Sequence, residues 1–460
     1  MKSRIIVFLM LMLPMLASAQ NISSDVLKKL QDNFNASKPD KAVMNALTSN
    51  DLKSLTLDNS NSVKPDSYFK YRVKSAGITD QKSSGRCWLF ASLNVYRPMV
   101  ITKYNLADFE FSQNYLFFYD QLEKANLFLE GIIETADKPL DDRKVEWLLK
   151  NAIGDGGVWG GFANLVNKYG LVPAEIMPET KSSNDTRYMS SVLTTLLRQD
   201  ALKLREAIKA KKSAAEIQQM KIAMLSDVYK VLVYNLGEPP ATFKYRFIDK
   251  NKTAGEYKEY TPVSFFKEVL DINTADYIMF MDDPSREYYK LYEIQYDRNV
   301  QEGTNWKYIN IPVAELKAMA LESIKAGEAM YFSCDVGKQY DKNSSTLDMQ
   351  NYDYESLYGI DFTMDKKQRI ETFESGSTHG MTLVAADVDE SEKPVKWLLE
   401  NSWGSIGFDG GHLIMTDQWF NEYMFRLVIN KKYVPENIQE ILKQKSILLP
   451  PWDPMFMEDK

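Results

Sequence analysis

Few side chains of this chain can act as nucleophiles or proton carriers. It has two cysteines, Cys87 and Cys334, and two histidines, His379 and His412. Cys87 lies in "QKSSGRCWLFAS", where "SSGR" is typical of a turn and "CWLFASLNVYRPMV" has the apolar spacing of a helix. A cysteine at a helix N-terminus is close to unpaired backbone N–H groups and to the positive end of the helix dipole, which stabilise a thiolate. The pattern therefore predicts a nucleophilic thiol at Cys87.

The two histidines have different surroundings in the sequence. His379 lies in "ESGSTHGMTLVAAD", where a glycine-rich loop meets an apolar strand, and such junctions often present side chains to a cleft. His412 lies between Gly411 and Leu413 within a strand pattern, which indicates a structural role. We therefore expect His379 to be the partner of the thiol.

Two amide side chains could complete a site for attack on a carbonyl carbon. Asn401, in "ENSWGSIGFDGGHL", ends a predicted strand, and its side-chain oxygen can hold an imidazole in one tautomer without adding charge. Gln81 precedes Cys87 by six residues, so its side-chain N–H can point to the same place as the backbone N–H of Cys87. Two such donors would stabilise the oxyanion that forms during attack.

Cys334 leaves two alternatives open. Its surroundings, "AMYFSCDVGK", are typical of a buried strand, where a thiol acts as a small hydrophobe. A disulfide with Cys87 is the other alternative, because exported chains commonly pair their cysteines. The buried structural thiol is the favoured interpretation.

The order of these motifs resembles the papain-like cysteine peptidases. The match consists of Gln81, then "SSGRCW", then His379-Gly380 on a strand, then "NSWG". Two departures are clear: Ser84 replaces the first cysteine of the family motif, and 292 residues separate Cys87 from His379, against about 130 to 150 in papain. A large insertion must therefore divide the two halves of the fold.

Longer stretches resemble the bleomycin hydrolase and aminopeptidase C branch of this superfamily. They are "FEFSQNYLFFYDQLEK", "DGGVWGGFANLVNKYGLVP", "ESIKAGEAMYFSCDVGK" and "LPPWDPM". The resemblance implies a broad-specificity aminopeptidase that forms homohexameric rings and needs no cofactor and no metal. It assigns catalytic positions to Gln81, Cys87, His379 and Asn401, and a substrate-binding glycine pair to Gly156 and Gly157. It also implies a C-terminal segment in the cleft, where Glu458, Asp459 and the terminal carboxylate at Lys460 could all attract the substrate's amine.

The first nineteen residues have the features of a cleaved signal peptide. Lys2 and Arg4 precede a short apolar run, and Ala17-Ser18-Ala19 forms a small-residue cleavage site. A membrane anchor is the alternative, but the run is shorter than the ~20 residues that span a bilayer. We expect an exported protein, periplasmic or secreted, with no membrane span after cleavage.

Composition and charge exclude some partners. The chain carries a net charge of −7, and cleavage of the signal peptide would make it more negative by removing Lys2 and Arg4. An acidic chain without a dense basic stripe is a poor ligand for nucleic acid. The glycines of "DGGVWGG" could suggest a phosphate loop, but no lysine followed by serine or threonine comes after them.

The remaining patterns predict an α+β protein, with helices first and strands later. Helical spacing covers residues 187–236, with a break at "KAKKSAAE", and strand patterns follow at 277–281, 328–336, 379–388, 395–401 and 411–416. A papain-like fold with a helical half and an antiparallel, barrel-like β half is expected. The predicted regions are a signal peptide (1–19), an N-terminal helical arm and linker (20–66), a helical catalytic half (67–180), a helical insertion (181–275), a β-rich catalytic half (276–436) and a C-terminal arm that enters the active-site cleft (437–460).

The predicted function is an exported cysteine aminopeptidase that acts on peptides through Cys87, His379, Asn401 and Gln81. An endopeptidase with an open cleft is the nearest alternative. A non-catalytic peptide-binding chamber is a further alternative from a different class of protein.

Overall fold

The computed structural model describes residues 21–37, 40–61, 66–74 and 76–455. The chain divides into two compact units. One is Met1–Leu57 with Asp353–Ile360, and the other is Asp58–Tyr352 with Asp361–Lys460. The predicted signal peptide and Lys460 lie outside the described residues.

The helices are concentrated in the first 270 residues. In chain order they are α1 (Ser24–Ala36), α2 (Lys41–Ser49), α3 (Leu52–Thr56), α4 (Cys87–Lys103), α5 (Gln113–Glu134), α6 (Arg143–Lys150), α7 (Trp159–Tyr169), α8 (Lys181–Asn184), α9 (Arg187–Lys209), α10 (Ala214–Leu236), α11 (Pro262–Val269), α12 (Val313–Lys325), α13 (Tyr354–Tyr358), α14 (Lys366–Glu371), α15 (Asp417–Tyr423) and α16 (Glu436–Gln439).

The smaller unit contains the N-terminal helices. Each begins after a side chain that accepts a backbone N–H: Ser23 before α1, Asp40 before α2 and Asp51 before α3. Neither α1 nor α2 buries a residue in the described part of the chain. Local capping therefore defines the ends of these helices.

The strands form one large sheet and one hairpin. They are β1 (Tyr71–Arg72), β2 (Phe243–Tyr245), β3 (Lys258–Tyr260), β4 (Tyr277–Met281), β5 (Lys290–Ile294), β6 (Lys307–Asn310), β7 (Met330–Cys334), β8 (Tyr340–Asp341), β9 (Thr346–Leu347), β10 (His379–Val388), β11 (Pro394–Glu400), β12 (His412–Thr416), β13 (Met424–Asn430) and β14 (Ile447–Leu449). The sheet order is β14-β5-β6-β4-β13-β7-β10-β11-β12-β9-β8, with β1 beside β10, while β2 and β3 pair separately.

The α+β class predicted from the sequence is confirmed. Most pairings in the large sheet are antiparallel, as expected, whereas β4 with β6, β14 with β5 and β12 with β9 are parallel. The C-terminal arm supplies β14, so part of it is a sheet strand. The predicted strand patterns at 277–281 and 379–388 match β4 and β10 at both ends.

The helical insertion also follows the sequence pattern. Helices α9 and α10 are separated by four residues, within the segment where the apolar periodicity breaks. Ser213 and Glu216 form a capping box, in which each side chain accepts the other residue's backbone N–H. This reciprocal bonding explains why the second helix begins at Ala214.

Helix α4 positions the predicted thiol. Most of its residues are buried, and it packs against β10, where Thr382 Oγ1 donates to the carbonyl of Ala91 at 3.1 Å. Because the helix is fixed to this strand, its first residue lies beside the strand's start. The contact brings Cys87 and His379 to the same end of the α4–β10 layer.

None of the helices described combines the length and apolar composition that crossing a bilayer requires.

Candidate active site

Cys87 is the first residue of α4, as the sequence predicts. Its side chain has no exposed surface, and its Sγ accepts the backbone N–H of Gly380 at 3.4 Å. Arg86, the residue before it, caps the helix without a side-chain bond to the backbone. The guanidinium of Arg86 instead binds Glu179 through both terminal nitrogens, at 3.0 and 2.7 Å. The side chain of Arg86 therefore does not cap the helix that Cys87 begins.

His379 begins β10 and is almost fully buried. Its Nε2 lies 2.8 Å from Oδ1 of Asn401, and the same Oδ1 accepts the backbone N–H of Ser402 at 2.8 Å. Since a backbone N–H can only donate, the atom of Asn401 at this place must be the oxygen. The proton of the imidazole is therefore held on Nε2, which leaves Nδ1 as the basic nitrogen.

The ring of Trp403 covers this pair. Its centroid lies 4.8 Å from that of the His379 ring, with the two planes inclined by 31°. An aromatic cover excludes water from the hydrogen bond between His379 and Asn401. In a water-poor surrounding that bond is stronger than in solvent.

Gln81 is buried, and both the nitrogen and the oxygen of its side-chain amide form hydrogen bonds. Its Nε2 donates to the carbonyl of Ser84 at 2.6 Å, and its Oε1 accepts the hydroxyl of Ser402 at 2.6 Å. The backbone N–H of Gln81 also donates to the carbonyl of Ser402, at 2.8 Å. An amide nitrogen carries two hydrogens, so one can serve a ligand. The sequence reasoning did not single out Ser402, although it lies between Asn401 and Trp403.

The glycine pair lies against the helix that carries Cys87. A Cβ atom on Gly157 would lie 2.6 Å from the indole of Trp88, so only glycine fits there. The indole Nε1 donates to the carbonyl of Asp155 at 3.0 Å, and Lys124 donates to the carbonyl of Gly156. The loop is thus held from both sides with its backbone close to the thiol-bearing helix.

Asp155 is a second residue that sequence reasoning missed. Its Oδ2 accepts the backbone N–H of Gly85 at 2.6 Å and the hydroxyl of Thr186 at 2.5 Å. A Cβ on Gly85 would lie 2.5 Å from the carboxylate. Asp155 therefore fixes the turn before Cys87 to the glycine loop. Its place just before the glycine pair was the only signal in the sequence.

Lys124, which donates to the glycine loop, forms an ion pair with a buried carboxylate. Its Nζ lies 3.0 Å from Oδ2 of Asp120, and Oδ1 of that carboxylate accepts from Asn299 at 2.9 Å. Burial raises the pKa of Asp120 above its ordinary value, while the nearby Lys124 opposes that rise. Through the hydrogen bond from Lys124 to the carbonyl of Gly156, this buried cluster holds the glycine loop in place.

The remaining candidates are His412, Cys334 and Lys460. His412 begins β12 opposite Glu400, is 4% exposed, and has no hydrogen-bond partner at either ring nitrogen in the described structure. Cys334 is buried in β7, opposite His379, and neither cysteine forms a disulfide. Among the described residues, no group of three or more His, Cys, Asp or Glu could hold a metal ion. Lys460 lies outside the described residues.

A buried thiol at a helix N-terminus, facing an imidazole-bearing strand whose ring is oriented by an amide, is the arrangement of a cysteine peptidase. Comparison with known proteins agrees. The profile of the Peptidase C1-like family matches residues 21–456, so the chain belongs to that family.

Relatives match nearly the whole chain. It is 38% identical to bleomycin hydrolase of Mus musculus, over 94% of this chain and 98% of that protein. It is 34% identical to aminopeptidase C of Lactobacillus delbrueckii subsp. lactis, over 95% of this chain and 98% of that protein. The crystal structure of PepW from Lactobacillus rhamnosis HN001 matches with a TM-score of 0.92 and 36% identity, over 96% of this chain and 100% of that one.

These matches confirm the predicted branch and the fold expected from it. They also confirm the predicted class of enzyme, a cysteine-type aminopeptidase.

Proposed function

We propose that this cysteine aminopeptidase releases N-terminal residues from peptides, with Cys87 as nucleophile, His379 as acid and base, Asn401 as the group that orients it, and Gln81 as an oxyanion donor. One observation carries the proposal: Oδ1 of Asn401 lies 2.8 Å from Nε2 of His379 and is identified as oxygen by the N–H of Ser402. This bond leaves Nδ1 of His379 to exchange a proton with Cys87.

The reaction follows from these roles. The thiolate of Cys87 attacks the carbonyl carbon, and the carbonyl π electrons move to oxygen to give a tetrahedral oxyanion. The protonated Nδ1 of His379 then gives its proton to the leaving amine, the C–N bond breaks, and a thioester remains. Water, deprotonated by His379, hydrolyses the thioester, and the thiol is restored.

The oxyanion needs donors that are already in place. The second amide hydrogen of Gln81 and the backbone N–H of Cys87 can both point to the attacked carbonyl. The two hydrogen bonds that hold Gln81 through Ser84 and Ser402 reduce its motion before substrate arrives. Donors held in advance need no reorganisation during attack, which is the source of their effect.

Selectivity for free N-termini would come from the C-terminal segment. The described chain reaches Met455, which packs in a cluster with Val158, the residue after Gly157. That residues 456–460 enter the cleft and block longer substrates stays a prediction, because they lie outside the described residues. An amine ligand at Lys460 stays a prediction, because that residue lies outside the described part of the chain.

The test uses one unblocked and one N-acetylated decapeptide, analysed by mass spectrometry after incubation with reduced enzyme. Stepwise shortening of the unblocked peptide alone, stopped by iodoacetamide, is the expected result. Internal cuts in both peptides would instead mean an endopeptidase with an open cleft. Cleavage of neither peptide would favour a binding chamber.

Export and assembly are further parts of the proposal. The signal-peptide pattern of residues 1–19 supports export, and resemblance to the branch supports a homohexamer. The mass of the mature N-terminus, measured on protein from the producing cell, tests the first; a chain that still begins at Met1 contradicts export. Light scattering of the purified protein tests the second, because a monomer mass contradicts the hexamer.

A further inference from the structure

A buried cation immediately precedes the proposed nucleophile. The side chain of Arg86 has no exposed surface, although its guanidinium is charged at any physiological pH. A buried charge is costly unless other groups compensate it. Arg86 must therefore be bound closely by the groups around it.

Glu179 compensates the charge of Arg86. Nη1 and Nη2 of Arg86 donate to the two carboxylate oxygens of Glu179 at 3.0 and 2.7 Å, and the hydroxyl of Ser183 donates to the same carboxylate at 2.6 Å. The ring centroids of Phe90 and Phe117 each lie 5.4 Å from the guanidinium carbon. A bidentate pair packed against aromatic rings fixes the orientation of the guanidinium as well as its charge.

The remaining guanidinium nitrogen connects this pair to the proposed oxyanion donor. Nε of Arg86 donates to Oγ of Ser84 at 3.0 Å, and that hydroxyl donates to the carbonyl of Gln81 at 2.6 Å. The carbonyl of Ser84 in turn accepts Nε2 of Gln81. Ser84 lies at the position of the first cysteine in the family motif, and a serine can form no disulfide. Hydrogen bonds that begin at Arg86 therefore hold the turn that carries Gln81.

The same guanidinium places a positive charge near the thiol of Cys87. One peptide bond joins Arg86 to Cys87, so their Cα atoms are about 3.8 Å apart. Away from water, a cation stabilises a nearby thiolate, and an anion destabilises it. Arg86 and Glu179 therefore act on the thiol in opposite directions.

Other charged groups also lie near the start of α4. Asp155 accepts the backbone N–H of Gly85, and Nζ of Lys124 lies 5.6 Å from the ring centroid of Trp88. His379 begins β10, the strand that packs against α4. These groups are the same in every variant of the arginine pair, so differences between such variants report on the pair.

We propose that Arg86 is a positioning residue for the proposed reaction. Its pair with Glu179 holds the turn that carries Gln81, and its charge favours the thiolate of Cys87. The inference rests on the proposed function, because it needs Cys87 as the nucleophile and Gln81 as an oxyanion donor. Arg86 acts through these two residues rather than on the substrate.

The first test follows alkylation of Cys87 by iodoacetamide across a pH series, with mass spectrometry of the peptide that contains it. Arg86→Met removes the cation and should move the alkylation midpoint to higher pH, by up to about one unit. Glu179→Gln removes the anion and should move the midpoint to lower pH. A merely structural role predicts shifts in the same direction, because both variants break the same ion pair.

The second test measures peptide hydrolysis. Arg86→Met should lower kcat several-fold and leave KM nearly unchanged, because an oxyanion donor acts mainly in the transition state. Arg86→Lys keeps the charge but loses the hydrogen bond from Nε to Ser84. Its alkylation midpoint should therefore stay near that of wild type, while its kcat still falls.

Arg187→Met is the matched control for both tests. Arg187 also binds a carboxylate through two nitrogens, at 2.8 and 2.7 Å from the oxygens of Asp185. Its side chain is 74% exposed, whereas that of Arg86 is buried. Arg187→Met should change neither the alkylation midpoint nor kcat.

Glu179→Gln leaves a buried cation without its carboxylate, which destabilises the fold. If this variant does not fold, as judged by thermal unfolding, the double variant of Arg86→Met with Glu179→Gln replaces it. The double variant has neither charge, so its midpoint should return toward that of wild type while kcat stays low. A midpoint as high as that of Arg86→Met alone would overturn the inference.

Two further results would overturn the inference. Wild-type midpoints in both single variants, or shifts in one direction, would mean that the pair does not act on the thiol. A wild-type kcat in Arg86→Met would mean that the arginine does not hold the oxyanion donor. Hydrolysis by wild-type enzyme whose Cys87 is fully alkylated would instead contradict the proposed function, whatever the variants do.

Discussion

The hydroxyl of Ser402 donates to Oε1 of Gln81 at 2.6 Å and so joins two loops that are 321 residues apart in the chain. The same serine gives its backbone N–H to Asn401 and accepts the backbone N–H of Gln81. One residue thereby links the proposed oxyanion donor to the group that orients the imidazole.

Ser402→Ala should lower kcat/KM by about fivefold, since it removes one hydrogen bond, worth about 1 kcal/mol, that holds Gln81. Gln81→Ala should cost more, on the order of a hundredfold, because it removes the donor itself. Steady-state kinetics on an unblocked peptide measure both. Equal losses from the two variants would contradict a supporting role for Ser402.

Cys87→Ala should abolish hydrolysis, to at least a thousandfold below wild type, while the fold is kept. The measurement is product release by mass spectrometry, with circular dichroism to check folding. Cys334→Ala is the matched control, since that thiol lies in β7 and has no proposed part in the chemistry. Full activity in Cys87→Ala would contradict the proposed mechanism.

Asn401→Asp should keep the acceptor for Nε2 of His379 but add a negative charge, which favours the protonated imidazole. The alkaline limb of the activity profile should therefore move to higher pH. Asn401→Ala should lower activity at every pH without that displacement. A pH series of kcat/KM distinguishes the two, and an unmoved limb in Asn401→Asp would mean that the amide does not contact the working imidazole.

Gly157→Ala should reduce both folding yield and activity, because its Cβ would lie 2.6 Å from the buried indole of Trp88. Overpacking of this kind costs about 1 to 3 kcal/mol. Gly337→Ala is the control, since a Cβ there meets nothing within 4 Å. Thermal unfolding of the two variants gives the comparison, and equal midpoints would mean that the loop can move away from the indole.

His412 should make the folded protein sensitive to mild acid. Burial, aided by Arg72, lowers the pKa of His412 below its ordinary value, so the unfolded chain takes up this proton more readily than the folded one. Its contribution to stability is present above pH ~6.5 and is lost as the pH falls from there through the folded pKa.

Urea unfolding at pH 7.5 and pH 5.5 measures this effect. The loss of unfolding free energy between the two values should be smaller in His412→Gln than in wild type. An identical loss in both would show that other groups account for the acid sensitivity.

The proposed catalytic residues could be predicted from the sequence better than the residues that hold them in position. Cys87, His379 and Asn401 could be found because each lies at a helix or strand end that the apolar pattern reveals. Asp155 and Ser402 could not, because their importance comes from contacts with residues distant in the chain. Strands β5, β6 and β14 were also missed, since they are three to five residues long and are stabilised by pairing with each other and with β4.

The separation between Gln81 and Ser402 has a consequence for synthesis. A ribosome completes α4 with its cysteine more than 290 residues before it adds the asparagine and serine that finish the site. During that interval the nascent chain carries a thiol without an oriented base. With the roles proposed for these residues, proteolytic capacity arises only when translation is nearly over, after most of the chain has been made.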